Sequence, residues 1–278
     1  MVLTRVLPLI LMAGVAIPGL SQSRLVARFE ERIAGGRPAT YREFPFQVAI
    51  LDYRMRQICG GSLISPLEVL TAAHCLDGEE VSQLSVIAGS LTSRLPYSAA
   101  YQVRKIARAF VHRRYHKEGY DYDIAILRLN CSFDIQASDG CIKTIDLPEE
   151  YYTVRGFVII CGYGARRPDG SSRNTLYTTV MKVLSDVKCC FWYEELYKKE
   201  NIVNDFMNST MFCAISDDKS DSCGNDSGGP VVQYKKGSYV LVGIIAWGVE
   251  CGNPKYPGVY MEVSSFLPWI ADHSTVQV

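Results

Sequence analysis

Cys223-Gly224-Asn225-Asp226-Ser227-Gly228-Gly229-Pro230 is the stretch on which the reading of this chain turns. Its glycines allow a tight turn and leave the Ser227 hydroxyl uncrowded. A serine so placed is a candidate nucleophile, but a hydroxyl attacks poorly unaided: it needs a base beside it and a third group to orient that base. Upstream, Leu70-Thr71-Ala72-Ala73-His74-Cys75 supplies a histidine, and Asp121-Tyr122-Asp123-Ile124-Ala125-Ile126-Leu127 sets an acid at the head of an apolar run. Burial with that run makes a bare Asp123 carboxylate costly, so an imidazole N–H is its expected partner. Asp121 reads as a surface residue, and His112, His116 and His273 sit in polar contexts and read as solvated.

The rest of the chain narrows the compartment and the partners. Its 278 residues could form one large or two small domains with ample core. Lysine plus arginine and aspartate plus glutamate both number 29, which argues against nucleic acid as a partner. Ten cysteines, scattered rather than set at zinc-ligand spacings, suit an oxidising compartment. No metal site is legible and no cofactor is expected. Arg5, the apolar run Val6–Ile17 and the small residues of Gly19-Leu20-Ser21 read as a signal peptide over residues 1–21, cut after Ser21. The run is too short for a membrane anchor and contains Pro8. A secreted, extracellular monomer without membrane attachment is therefore expected. Residues 22–32 are charged, lack cysteine and end in Phe29-Glu30-Glu31-Arg32, as an activation propeptide would, leaving residues 33–278 as the mature domain.

From Ile33 onward, short apolar runs alternate with glycine, proline and polar turns: Phe46–Leu51, Gly60–Ile64, Leu84–Ala88, Ile124–Leu129, Phe157–Ile160 and Val240–Ala246. That is an all-β pattern, a barrel or a sandwich. Lys235-Lys236-Gly237-Ser238 reads as a hairpin turn, and one helix is expected near the end, capped by Ser264 or Ser265, with Phe266, Leu267, Trp269 and Ile270 inward.

The order His74, Asp123, Ser227 in those three contexts, with Arg32-Ile33-Ala34-Gly35-Gly36 ahead of them, resembles the trypsin/chymotrypsin family of serine proteases from Ile33 to about Asp272. The resemblance implies two antiparallel six-stranded β-barrels with a C-terminal helix, meeting near Leu147-Pro148, and an active site in the cleft between them. It implies a serine endopeptidase with Ser227 as nucleophile, His74 as general base and acid, and Asp123 as orienter, acting on protein or peptide substrates. It implies activation by a protease that cuts Arg32–Ile33, so that the new Ile33 amine pairs with Asp226; protease inhibitors are further expected partners. Asp221 aligns with the acid on a pocket floor that selects arginine or lysine, and Gly248 and Gly258 align with the glycines of its walls. The backbone N–H groups of Asn225 and Ser227 would form the oxyanion hole. Disulfides Cys59–Cys75, Cys189–Cys213 and Cys223–Cys251 follow from the same resemblance.

Two positions depart from the family. Asn225 stands where glycine is usual, and Ala246 where a serine usually bonds the catalytic aspartate. They keep alternative readings open: a full enzyme, or a catalytically weakened homologue acting by binding a partner. Cys131, Cys141, Cys161 and Cys190 are left over; Cys131–Cys141 and Cys161–Cys190 are reasonable pairs, with Cys189 and Cys190 able to exchange roles. Asn130 and Asn208 begin glycosylation sequons; Asn225 also fits the rule, but a glycan there would block catalysis. Gly89-Ser90 lacks the acid that calcium-binding relatives carry next. The basic stretch Arg104–Lys117 reads as a solvated loop rather than an anion site.

Overall fold

A computed structural model of the chain describes residues 36–93, 101–117, 119–164, 175–200, 210–216, 225–249 and 256–276. Thirteen strands form the framework of these segments. The first barrel comprises β2 (Gln47–Leu51), β3 (Gln57–Ser65), β4 (Glu68–Thr71), β5 (Ser85–Ala88), β6 (Gln102–Val111) and β7 (Ala125–Leu129). Its strand order is β2-β3-β4-β7-β6-β5, closed by β5 on β2. The second comprises β8 (Phe157–Gly162), β9 (Tyr177–Val183), β10 (Met211–Ile215), β11 (Pro230–Lys235), β12 (Ser238–Trp247) and β13 (Gly258–Glu262). Its order is β9-β10-β13-β12-β11-β8, closed by β8 on β9. The short β1 (Arg37–Pro38) adds to the edge of β9. Both barrels are six-stranded and antiparallel.

Closure follows from the side chains. All residues of β2, β4 and β5 are buried, as they must be when one face fills a barrel and the other lies under neighbouring chain. Every apolar run singled out in the sequence lies largely within a strand. The turn between β11 and β12 has φ 48° at Lys236 and 92° at Gly237, the two positive values a two-residue type I′ hairpin requires. No strand lies between Leu129 and Phe157 among the described residues, and Leu147-Pro148 falls in that interval.

Three expectations need correction. The stretch from Arg104 to Val111 belongs to β6 instead of a loop, and Lys117 pairs with Asp77 at 3.3 Å. The C-terminal helix, α2, spans Leu267–His273 and buries Leu267 and Ile270, with Phe266 buried just ahead of it, yet no serine caps its N-terminus. A 3-10 turn over Val263–Phe266 leads into it, Pro268 occupies its first turn, and Ser264 Oγ donates instead to the Tyr152 carbonyl at 2.6 Å. The sequence reading also missed a helix, α1, over Asp186–Glu200. Among its described side chains Cys189 and Tyr193, four residues apart, are fully buried, while Val187 and Phe191 stand exposed, so its apolar residues do not mark one face.

Cys59–Cys75 and Cys189–Cys213 are bonded; Cys223 and Cys251 lie outside the described residues. The remaining pairs do not form: Cys131, Cys141, Cys161 and Cys190 are free thiols. Cys141 donates to the Tyr41 hydroxyl at 2.8 Å, Cys161 is sealed in the core 3.3 Å from Gln47 Oε1, and Cys190 follows the bonded Cys189 on α1 and points round the helix from it.

Candidate active site

The β4–β7 ladder brings His74 and Asp123 together. Thr71, the last residue of β4, lies opposite Ala125, the first of β7. His74 follows β4 on a 3-10 turn over Ala73–Leu76, and Asp123 precedes β7. His74 Nδ1 lies 2.6 Å from Asp123 Oδ2, and the His74 backbone N–H donates to Asp123 Oδ1 at 2.8 Å. Asp123 is wholly buried, so this carboxylate is held by both bonds and removed from water. With Nδ1 taken up by the acid, Nε2 is the nitrogen left to exchange a proton with a reacting group. The Cys59–Cys75 bridge ties the histidine's turn to β3 and closes a separation of 16 residues, a constraint worth about 3 kcal/mol.

Neighbouring rings fix the pair further. Tyr120 meets the His74 ring edge-to-face at 5.5 Å and stacks on Trp247 at 6.3 Å. Tyr122, next to Asp123, stacks on His112 at 5.0 Å and takes the Arg114 guanidinium over its ring at 4.1 Å. His112 is therefore half-buried among aromatic rings, not solvated, and its pKa is lowered by burial and by the nearby Arg114 and Arg113 charges. His273 is half-buried too, stacked on Trp269 at 4.8 Å; His116 is exposed as expected. Asp121 is half-buried, its carbonyl accepting the His116 N–H at 3.1 Å.

The Ser227 loop packs against this barrel although it leads into β11 of the other. The Ser227 carbonyl accepts the Gly60 N–H at 2.8 Å and lies 3.5 Å from the Cys75 sulfur. Gly228 has φ 79°, and a Cβ on it would fall 2.1 Å from Thr71 Oγ1, so only glycine lets the loop approach β4, the strand that leads into the His74 turn. Ser227 is buried beneath this contact. Asp226 is fully buried, accepts the Gly164 N–H at 2.8 Å, and leaves no room on Gly162, where a Cβ would fall 1.9 Å from its Oδ1. Burial above all, with the Asp226 charge beside it, pushes the Cys161 thiol up, so it stays protonated.

Asn225 adopts φ 70°. Asparagine therefore occupies the left-handed conformation that glycine would take there, one it tolerates better than most side chains. Its carbonyl accepts a hydrogen bond from Gln57 Nε2 at 2.7 Å, a contact spanning 168 positions that no local motif announces. Gly248 and Gly258 face each other, a Cβ built on the first lying 3.7 Å from the Cα of the second. Ala246 is buried in β12. Asp221, Gly224, Arg32 and Ile33 lie outside the described residues, as does Asn208. Among the described residues, Cys59, His74 and Cys75 are close enough to suggest a metal cluster, but the two sulfurs are bonded to each other and supply no thiolate. No helix among the described residues is long and apolar enough to cross a membrane.

The family model described as Trypsin matches residues 33–270. Trypsin-1 of Astacus astacus is 30% identical over 245 residues, an alignment covering 86% of this chain and 98% of the relative. Trypsin of Phaedon cochleariae is 32% identical over 250 residues, covering 88% and 89%. Among solved structures, mouse neuropsin, described as a serine protease expressed in the limbic system of the brain, superposes with a TM-score of 0.71 at 30% identity, covering 86% of this chain and 98% of its own.

Proposed function

The chain belongs to the trypsin family of serine proteases and is a serine endopeptidase, and from that premise we propose that it is made as a secreted precursor and cleaves after arginine or lysine once Arg32–Ile33 is cut. In this reading residues 1–21 are the signal peptide, residues 22–32 the propeptide and residues 33–278 the protease domain, its barrels joined near Leu147-Pro148. The observation that carries the catalytic part is the His74 Nδ1 to Asp123 Oδ2 contact of 2.6 Å on a fully buried carboxylate, with the Ser227 loop packed on β3 and β4 of the same barrel.

Ser227 Oγ attacks the substrate carbonyl carbon while His74 Nε2 takes the hydroxyl proton. The imidazolium, stabilised by Asp123, then gives that proton to the leaving amine as the C–N bond breaks. Water, deprotonated by the same nitrogen, hydrolyses the acyl-enzyme and returns Ser227 to its hydroxyl form. The negative oxygen of each tetrahedral intermediate is held by the N–H groups of Asn225 and Ser227. Asp226 receives the new Ile33 amine, which orders this loop. Asp221, below Gly248 and Gly258, attracts the guanidinium or ammonium of the residue before the cut.

A peptide library tests the specificity. The activated protein is expected to cut after arginine or lysine, and Asp221→Ser to lose that preference by about a hundredfold or more while keeping its far-ultraviolet dichroism. A main preference for tyrosine or leucine in the unsubstituted protein would sink the assignment of Asp221.

A further inference from the structure

Gln57 stands at the start of β3, two residues before the bonded Cys59 and three before Gly60. Its side-chain amide donates to the Asn225 carbonyl at 2.7 Å, and the Gly60 N–H donates to the Ser227 carbonyl at 2.8 Å. One strand of the first barrel thus grips the carbonyls of two residues, two positions apart, on a loop that leads into the second. Those are the same two residues whose N–H groups are assigned to the oxyanion. We propose that Gln57 is a positioning residue for that hole: its amide clamps the Asn225 carbonyl and so keeps the Asn225 N–H turned toward the reacting carbonyl. This inference rests on the oxyanion assignment made above.

The reason a clamp is needed lies in the residue type. At φ 70° asparagine is in a basin that L-residues occupy at a cost of order 1 kcal/mol, with the β and right-handed basins more favourable. Reaching either from the left-handed basin requires φ and ψ to move together, since rotating φ alone leads into a sparsely populated region. Holding the carbonyl fixes ψ and so blocks the relaxation that would swing the N–H away. A glycine at this position would feel no such pull. The Gln57 amide carries no charge at any working pH, so the clamp holds wherever His74 is active.

The test is a double-mutant cycle on the activated protein with an arginine amide substrate. Gln57→Met, which keeps the length and removes the donor, is expected to lower kcat five- to tenfold with KM changed less than twofold, because the hole is used only in the transition state. Gln57→Glu, whose ionised carboxylate repels the carbonyl, should do no better. In an Asn225→Gly background the Gln57→Met loss is expected to shrink to less than twofold. An equal loss in both backgrounds, or a loss residing in KM, would overturn the clamp. Amide hydrogen exchange over Asn225–Gly229 gives an answer that does not depend on turnover: faster exchange in Gln57→Met is expected, and unchanged exchange contradicts the clamp. If the unsubstituted protein proves inert toward every amide substrate, the functional reading fails and the exchange result still decides the clamp.

Discussion

At the scale of single residues, Asn225 is where the chain departs most from the glycine usual in its family. In the structure it already holds φ 70° and is bonded through its carbonyl, so the N–H is expected to serve its role. Asn225→Gly should therefore raise kcat by no more than about tenfold in steady-state hydrolysis; a gain of a hundred- to a thousandfold, the effect of supplying a missing oxyanion donor, would show that the natural loop is turned away. This conformation was legible only as a possibility, because the sequence names the residue and not its dihedral. His74 and Asp123 were legible as a pair because each sits in its own local motif at a strand end. Gln57 was not, because its partner lies 168 positions away and glutamine at a strand start carries no signal of its own.

At the scale of elements, the β4–β7 ladder that aligns His74 with Asp123 is tied down at its far end. Glu68, fully buried and opposite Arg128 in the ladder, accepts from Arg128 Nη2, Ser274 Oγ and Thr275 Oγ1 at 2.8 Å each and from the Thr275 N–H at 3.0 Å. The segment after α2, attached to the second barrel, is thus strapped across the first. Burial pushes the Glu68 carboxyl up, but the Thr275 N–H, the Arg128 guanidinium and the two hydroxyls outweigh it, and the net pKa is lowered. A carboxyl whose folded pKa lies below its unfolded value contributes stability that is complete above the unfolded value, near pH 4.3, and is lost as pH falls through the folded one. Glu68→Gln is expected to cost about 3 kcal/mol at pH 7 by urea unfolding and to lose less further stability than the parent between pH 5 and 3. Equal acid sensitivity in the two proteins would remove Glu68 from the account. Helix α1 shows the opposite limit of sequence reading: its exposed Val187 and Phe191 mask the inward pair Cys189 and Tyr193, and a disulfide to β10 fixes it where periodicity gives no guide.

At the scale of the whole molecule, the two barrels contribute halves of one site. The first carries His74, Asp123 and the grip of β3; the second carries the loop of Asp226 and Ser227. The all-β class and the strand runs could be read from alternation and turn residues, and the family resemblance supplied the two-barrel closure that alternation alone does not specify. The crossing contacts were invisible, since they join residues whose partners sit on a different barrel. The central claim is that cleavage at Arg32–Ile33 completes a site in which His74 and Asp123 activate Ser227. It is tested most directly by intact-mass measurement of the trypsin-treated precursor after exposure to an arginine-mimicking phosphonate, with peptide mapping of the adduct. The account predicts one adduct per chain, on Ser227, absent from His74→Ala and from Arg32→Gln precursor treated alike. Stoichiometric labelling of Ser227 in the uncut Arg32→Gln precursor, or no labelling of the cleaved parent, would contradict it.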